Sequence, residues 1–109
     1  MIINVRTALG ASGTALPLQG SIFEFASEPS LVEIGIAADA NGVLATINAG
    51  PDTVAEEMPV TLKTINVAPV YPDDFWSDQV LPGDRLVVKL RDTSGAARVV
   101  MTQVRVTPL

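Results

Sequence analysis

The 109-residue chain contains no cysteine and no histidine. Without cysteine it has neither a disulfide framework nor a thiolate nucleophile. Without histidine it lacks the usual general base at neutral pH and the commonest transition-metal ligand. Charge is also scarce, because charged residues make up 17% of the chain and apolar residues 48%. This composition is too apolar for a disordered protein, and the length is that of one domain with its own core.

The acidic residues form no recognisable catalytic or metal-binding motif. Glu56 and Glu57 are adjacent, so they point to opposite sides of an extended chain rather than converging on a substrate. Three aspartates farther along could offer oxygen ligands to calcium, but no EF-hand loop surrounds them. They are Asp73, Asp74 and Asp78. We therefore predict that the protein is not an enzyme and has no catalytic residue, bound metal or cofactor.

The charge distribution argues against a nucleic-acid partner. The net charge is −5, whereas proteins that bind nucleic acids are usually basic. Residues 1–78 hold ten acidic and two basic residues, and residues 79–109 hold two acidic and five basic residues. This asymmetry suggests complementary surfaces within one molecule or between neighbours. The longest uncharged run, residues 7–23, is broken by glycines and a proline, so we expect neither a membrane span nor a signal peptide.

Apolar and polar residues alternate with a period of two along most of the chain, which indicates β-strands. Residues 31–49 show this alternation on both sides of Asn41-Gly42, a strong tight-turn signal, and predict a β-hairpin. A second hairpin is predicted from residues 85–91 and 98–106 around a polar turn. Residues 54–58 are expected to form one helical turn that ends at Pro59.

About seven or eight short strands separated by turns predict one all-β domain over residues 1–109, a small antiparallel β-sandwich with little helix. Jelly-roll and Ig-like topologies both remain open. We expect residues 7–20 to be a flexible loop or arm and residues 22–25 to be a short strand. The core is expected from the inward-facing positions. These are Val32, Ile34, Ile36, Ile47, Leu62, Leu86, Val88, Leu90, Val100 and Val104.

Two features are candidate interfaces. The connection 69–82 holds three prolines together with Tyr71, Phe75 and Trp76, and connections this long are usually functional or packed. Its aromatic residues are either interface anchors or a cap on the core. The second feature is a basic stripe on one strand, consisting of Arg85, Lys89 and Arg91. The stripe is either a solvated face or a contact for acids on a neighbour, for which the candidates are Glu24, Glu33, Glu56 and Glu57.

Two resemblances follow from the sequence. Residues 82–88, Pro-Gly-Asp-Arg-Leu-Val-Val, resemble the lead-in to a strand in many Ig-like sandwich modules, which implies a fold but no function. The whole chain is similar in character to small virion proteins of bacteriophages. The shared traits are short strands rich in Ala, Thr and Val, few lysines, no cysteine and a Gly/Ser/Ala stretch near the N-terminus. This resemblance implies a capsid, penton, spike or decoration protein assembled in the host cytoplasm.

We therefore expect a non-enzymatic, homo-oligomeric subunit of an assembly that contacts itself and other virion subunits. The alternative is a stand-alone Ig-like module that binds protein or carbohydrate through the connection 69–82. Mass in solution distinguishes the two, because the subunit should self-associate and the module should be monomeric.

Overall fold

The computed structural model describes residues 2–21 and 24–109, and these contain nine β-strands and no helix. No described segment is therefore a helix that could cross a membrane. The strands are β1 (Ile2–Leu9), β2 (Thr14–Ala15), β3 (Ser30–Ala38), β4 (Val43–Ala49), β5 (Asp52–Pro59), β6 (Thr61–Leu62), β7 (Phe75–Val80), β8 (Leu86–Asp92) and β9 (Arg98–Pro108).

The strands form two sheets that pack face to face. The five-stranded sheet has the order β1-β9-β3-β6, and β7 lies beside the first part of β3. The four-stranded sheet has the order β2-β8-β4-β5. All neighbouring strands are antiparallel except β3 and β6, which form a short parallel pair. The predicted all-β sandwich is confirmed.

The core lies between the sheets and is built from inward-facing residues of both. Nine of the ten residues predicted for the core are buried, and Leu62 is the exception at 48% exposed. Leu62 belongs to a two-residue strand at the edge of its sheet. The strand that contains Leu62 is too short to place its side chain under the opposite sheet, although the alternation of apolar and polar residues predicted that it would face inward.

Both predicted hairpins are wrong. β3 belongs to the five-stranded sheet and β4 to the four-stranded sheet, so the turn at residues 39–42 carries the chain from one sheet to the other. The turn between β8 and β9 does the same. Alternation shows which residues face the core but not which sheet the strand joins. Gly42 has φ +107°, so the Asn-Gly signal correctly marked a turn.

A true hairpin joins β4 to β5 through Gly50-Pro51, and the helical turn predicted for residues 54–58 is part of β5. The pairing of β5 with β4 is irregular, with register shifts between Ala45 and Asn48. Glu57 has φ +49°, and its N–H donates to Thr46 Oγ1 (3.2 Å). Pairing with β4 therefore outweighs the weak local preference for a helical turn.

The segment 7–20 is held against the sandwich rather than extending as an arm. Its first residues end β1, β2 pairs with β8, and Leu18 is 1% exposed in the core. The strand predicted for residues 22–25 falls partly on Ile22 and Phe23, which lie outside the described residues. Phe25 forms an isolated bridge with Arg85.

The β3–β4 and β8–β9 turns, two of the places where the chain passes between the sheets, are adjacent and bonded to each other. Thr93 donates to the carbonyl of Gly42 through both its N–H (2.7 Å) and its hydroxyl (2.8 Å). Asp39 and Val99 form a second link, in which the Asp39 N–H donates to the Val99 carbonyl (3.2 Å). The chain therefore changes sheets twice at the same end of the sandwich.

Asp92, which is 2% exposed, joins this end to the N-terminal segment. Its Oδ2 accepts the N–H of Ser12 (2.8 Å), and its Oδ1 accepts the N–H (3.0 Å) and hydroxyl (2.7 Å) of Ser94. The Ser94 hydroxyl and the Ser12 amide favour the ionised carboxylate and lower the pKa of Asp92 from 3.8 to about 2.

We predict that Asp92 makes the stability of the fold sensitive to acid. Since its pKa is lower in the folded than in the unfolded chain, its contribution is present above about pH 4 and is lost as the pH falls toward about 2. The melting temperature of the wild type should therefore fall more steeply between pH 4 and pH 2 than that of Asp92→Asn. Parallel pH curves for the two proteins would contradict this role.

A second prediction concerns Thr102, which is 1% exposed and whose hydroxyl has no hydrogen-bond partner among the described residues. A buried hydroxyl without a partner is destabilising because it has lost its bonds to water. Thr102→Val should therefore raise the free energy of unfolding by about 1 kcal/mol, measured by urea denaturation. A loss of stability of that size would indicate that the hydroxyl has a partner.

Candidate interaction surface

The connection expected at residues 69–82 contains strand β7, which carries two of its three aromatic residues. Successive residues of a strand face opposite sides, so β7 separates these two side chains. Trp76 lies opposite Ile34 and packs against the core. Phe75 lies opposite Gly35 on the outer face of the five-stranded sheet. Trp76 is therefore partly buried against the core, whereas Phe75 lies on the outer face.

Tyr71, Phe75 and Arg105 stack on this outer face. The ring of Tyr71 meets that of Phe75 edge to face, with 5.2 Å between ring centroids and an interplanar angle of 81°. The guanidinium carbon of Arg105 lies 4.0 Å from the centroid of the Tyr71 ring and 5.7 Å from that of Phe75. Cation–π and edge-to-face contacts are both favourable, so the stack is formed before any partner arrives.

Gly35 makes room for the stack. A Cβ at this position would lie 2.4 Å from a ring carbon of Phe75, far inside contact distance. The missing side chain lets the Phe75 ring lie flat across the backbone of β3, as aromatic residues do beside strand glycines. An alanine at position 35 would push the ring away from the sheet.

Polar groups fix the orientation of the stack. Glu33 lies directly opposite Arg105 in the sheet. A hydrogen bond from the Tyr71 hydroxyl to the Glu33 carboxylate raises the pKa of Tyr71, because the neutral hydroxyl is the donor. Arg105 Nε donates to Gln103 Oε1 (3.0 Å), and Gln103 Nε2 donates to Asn4 Oδ1 (2.8 Å). We call Tyr71, Phe75, Arg105 and Glu33 the aromatic patch.

The turn that presents Tyr71 is closed by Asp74. Its Oδ2 accepts the N–H of Val70 (2.7 Å) and lies 3.5 Å from the ammonium of Lys63. The Val70 amide chiefly, with help from Lys63, lowers the pKa of Asp74. Tyr71 is 43% exposed on this turn. The patch therefore combines a fixed geometry with an accessible ring, which is the combination expected of an interface anchor.

The basic stripe has most of its partners within the same chain. Arg85 donates through Nη2 to Glu24 Oε2 (2.8 Å), and Arg91 Nη2 lies 3.1 Å from Glu57 Oε1. The Gly20 amide, followed by Arg85, lowers the pKa of Glu24. Lys89 alone in the stripe has no recorded ion pair among the described residues. Glu24 and Glu57, which the sequence analysis considered as partners for the stripe of a neighbouring molecule, therefore bind the stripe of their own chain.

The structure brings together Asp52 and Asp78, a pair of acidic residues that the sequence analysis did not consider. Asp52 at the start of β5 approaches Asp78 on β7, beside an open depression of about 380 Å³. A hydrogen bond with Asp78, and then repulsion from its charge, raises the pKa of Asp52. Across residues 2–21 and 24–109, no group of three or more acidic residues is arranged to hold a metal ion.

The sequence missed Arg105 and Gly35, and it suggested Glu33 only as a partner for the basic stripe of a neighbour. A partial signal exists for Arg105, since it alternates along β9 with the buried residues Val100 and Val104 and therefore faces outward. Nothing local connects it to Tyr71, because the contact depends on the pairing of β9 with β3. The arrangement is a preorganised outer surface with one exposed ring and a cation stacked on it.

Comparisons of the chain with protein-family models, with curated protein sequences and with solved structures find no match.

The orientation of Trp76 generates a prediction. Because its side chain packs on the core, Trp76→Ala should lower the free energy of unfolding by roughly 2–4 kcal/mol, measured by thermal or urea denaturation. At temperatures where the variant is folded, its oligomer size by light scattering should equal that of the wild type. A smaller oligomer with an unchanged melting temperature would instead make Trp76 an interface residue.

Proposed function

We propose that this chain is a non-enzymatic, repeated subunit of a protein assembly and that it contacts neighbouring subunits through the aromatic patch. The stack of Tyr71, Phe75 and Arg105 carries this proposal, because its rings and cation are already ordered in the single chain. Tyrosine and arginine are enriched at the energetic centres of interfaces. Their preorganisation reduces the entropy lost on association.

The distribution of the remaining charge supports the same surface. Ion pairs within the chain satisfy two members of the basic stripe, so the outer face of the four-stranded sheet offers a partner little unpaired charge. The chain also exposes several large apolar side chains, among them Ile2 at 54% and Ile65 at 51%. Association with other subunits would remove such surface from water.

The assembly we propose is a virion, with a capsid, penton, spike or decoration role for this chain. The support is its resemblance in character to small bacteriophage virion proteins, namely short Ala-, Thr- and Val-rich strands, few lysines and no cysteine. Virion subunits of this kind act by packing against copies of themselves and against other subunits. Closed rings of such subunits are one way to satisfy contacts between unlike surfaces.

A second candidate function is a stand-alone module that binds a carbohydrate or a protein. One observation favours it, namely that a chain of hydrogen-bonding side chains lies on the same face of the sheet as the exposed ring of Tyr71. They are Glu33, Gln103 and Asn4. An aromatic ring beside such groups suits an oligosaccharide, which stacks on the ring and bonds with its hydroxyls. This function requires a monomer that binds a soluble ligand.

The proposed function predicts that Tyr71→Ala weakens self-association at least tenfold in Kd, a loss typical of an interface anchor. The melting temperature should change little, because Tyr71 is 43% exposed and outside the core. Light scattering and sedimentation over a range of concentrations measure the association. Gly35→Ala should have the same effect by displacing Phe75 without removing any group of the patch.

Phe25→Ala is the matched control, because Phe25 is an exposed aromatic residue (57%) away from the patch. Its oligomer size should match that of the wild type. A wild type that stays monomeric at every soluble concentration would contradict self-assembly. If that monomer bound an oligosaccharide and lost the binding in Tyr71→Ala, the second candidate function would take its place.

A further inference from the structure

The four outer edges of the two sheets differ in how well they are protected. An edge strand presents unpaired backbone N–H and C=O groups that can pair with another chain. β2 and β6 are two residues long, so they offer almost no edge. β7 has six residues, and its side of the sheet lies close to β5. β1 and β5, with eight residues each, are the long edges.

β5 carries several features that discourage pairing. Its pairing with β4 is irregular, Glu57 has φ +49°, and the strand ends at Pro59. Glu56 and Glu57 add two negative charges to it. Irregular pairing, proline and charge are the devices by which natural sheets prevent edge-to-edge association. β5 is therefore protected against pairing with a strand of another chain.

β1 has none of these features. It pairs residue by residue with β9 from Ile2 to Leu9 without a register shift, and among the described strands it pairs with no other. It contains no proline and no glycine, and its single charge is Arg6. Ile2 at its start is 54% exposed. A regular, weakly charged edge of this length is suited to pairing with another strand.

The sequence of β1 is complementary to itself in one antiparallel register. In that register each residue meets an acceptable partner on a second copy: Ile2 meets Ala8, Ile3 meets Thr7, Asn4 meets Arg6, and Val5 meets Val5. Arg6 Nε already binds Asn66 (2.7 Å), but a guanidinium has further donors for the Asn4 carbonyl. A shift that brings Arg6 opposite Arg6 would set like charges together.

We infer that β1 pairs with β1 of a second copy about a two-fold axis at Val5, which joins the two five-stranded sheets into one continuous sheet. Directly opposed residues share a face, so the outer faces of both copies, with their aromatic patches, lie on the same side of the joined sheet. This inference rests on the proposed function and adds a second contact to it: the β1 edges join two copies, and the aromatic patches of the pair face outward, where further subunits can meet them.

Cysteine cross-linking tests the register directly, because the chain has no cysteine of its own. In Val5→Cys the two sulfurs lie on directly opposed residues, whose Cα atoms are about 4.5–5.5 Å apart, within reach of a disulfide. Thr7→Cys is the matched control, since both side chains are half-buried on the same face of β1. Two copies of residue 7 would be about 13 Å apart, too far for a disulfide.

Mild oxidation of the full chain should therefore convert Val5→Cys to a covalent dimer and leave Thr7→Cys unlinked. A mixture of Ile3→Cys and Thr7→Cys should cross-link as a heterodimer. Equal cross-linking of the Val5 and Thr7 variants would overturn the register. If light scattering shows association but Val5→Cys stays unlinked, the inference fails while the proposed function stands. A monomeric wild type with no cross-link means that both fail.

Charge changes give an independent readout. Asn4→Lys would face Arg6 of the second copy at two symmetric places, so Kd for dimerisation should rise at least tenfold. Adding Arg6→Glu to Asn4→Lys restores opposite charges at both places and should return Kd to near the wild-type value. Failure of this rescue in variants with wild-type melting temperatures would contradict the pairing of Asn4 with Arg6.

Discussion

Asp92 holds together the N-terminal segment and the turn between β8 and β9, at the end of the sandwich where the chain passes from one sheet to the other. Its two oxygens bind amides of the N-terminal segment and of the turn between β8 and β9, and the neighbouring Thr93 binds the turn between β3 and β4. The paired crossings set β3 beside β9 in one sheet and β4 beside β8 in the other. The core and both outer faces follow from that alignment, because register decides which residues face inward.

Local alternation was enough to predict the all-β class and nine of ten core residues, since a half-buried strand shows its inner face in its own sequence. It could not tell a hairpin from a crossing between sheets, because both need only a turn between two alternating segments. β7 was missed because its short sequence contains an aspartate and lies between prolines. The segment is a strand because it pairs with β3, and its own composition does not indicate that pairing. For the same reason the sequence suggested Tyr71 and Phe75 but not Arg105 or Gly35, which only the strand order brings to them.

The two outer faces have different characters. On the four-stranded sheet, Arg85 and Arg91 are paired with acids of the same chain, so charge is balanced internally. On the five-stranded sheet, Arg105 stacks on Tyr71 instead, beside an exposed ring and next to the open edge of β1. The acidic first part and the basic last part of the sequence therefore partly neutralise each other within one chain, through the Arg85–Glu24 and Arg91–Glu57 ion pairs. The aromatic patch and the β1 edge lie on the same sheet but at different places on it, so an assembly can use the edge for one contact and the patch for another.

Hydrogen–deuterium exchange at low and high protein concentration tests most directly whether the five-stranded sheet is the surface of association. Amides of a paired strand exchange slowly because their bonds must open first. The account predicts that concentration slows exchange in β1 and in residues 70–75, while β4, β5 and β8 exchange at unchanged rates. Slowing confined to the four-stranded sheet, or no dependence on concentration in any described strand, would contradict it.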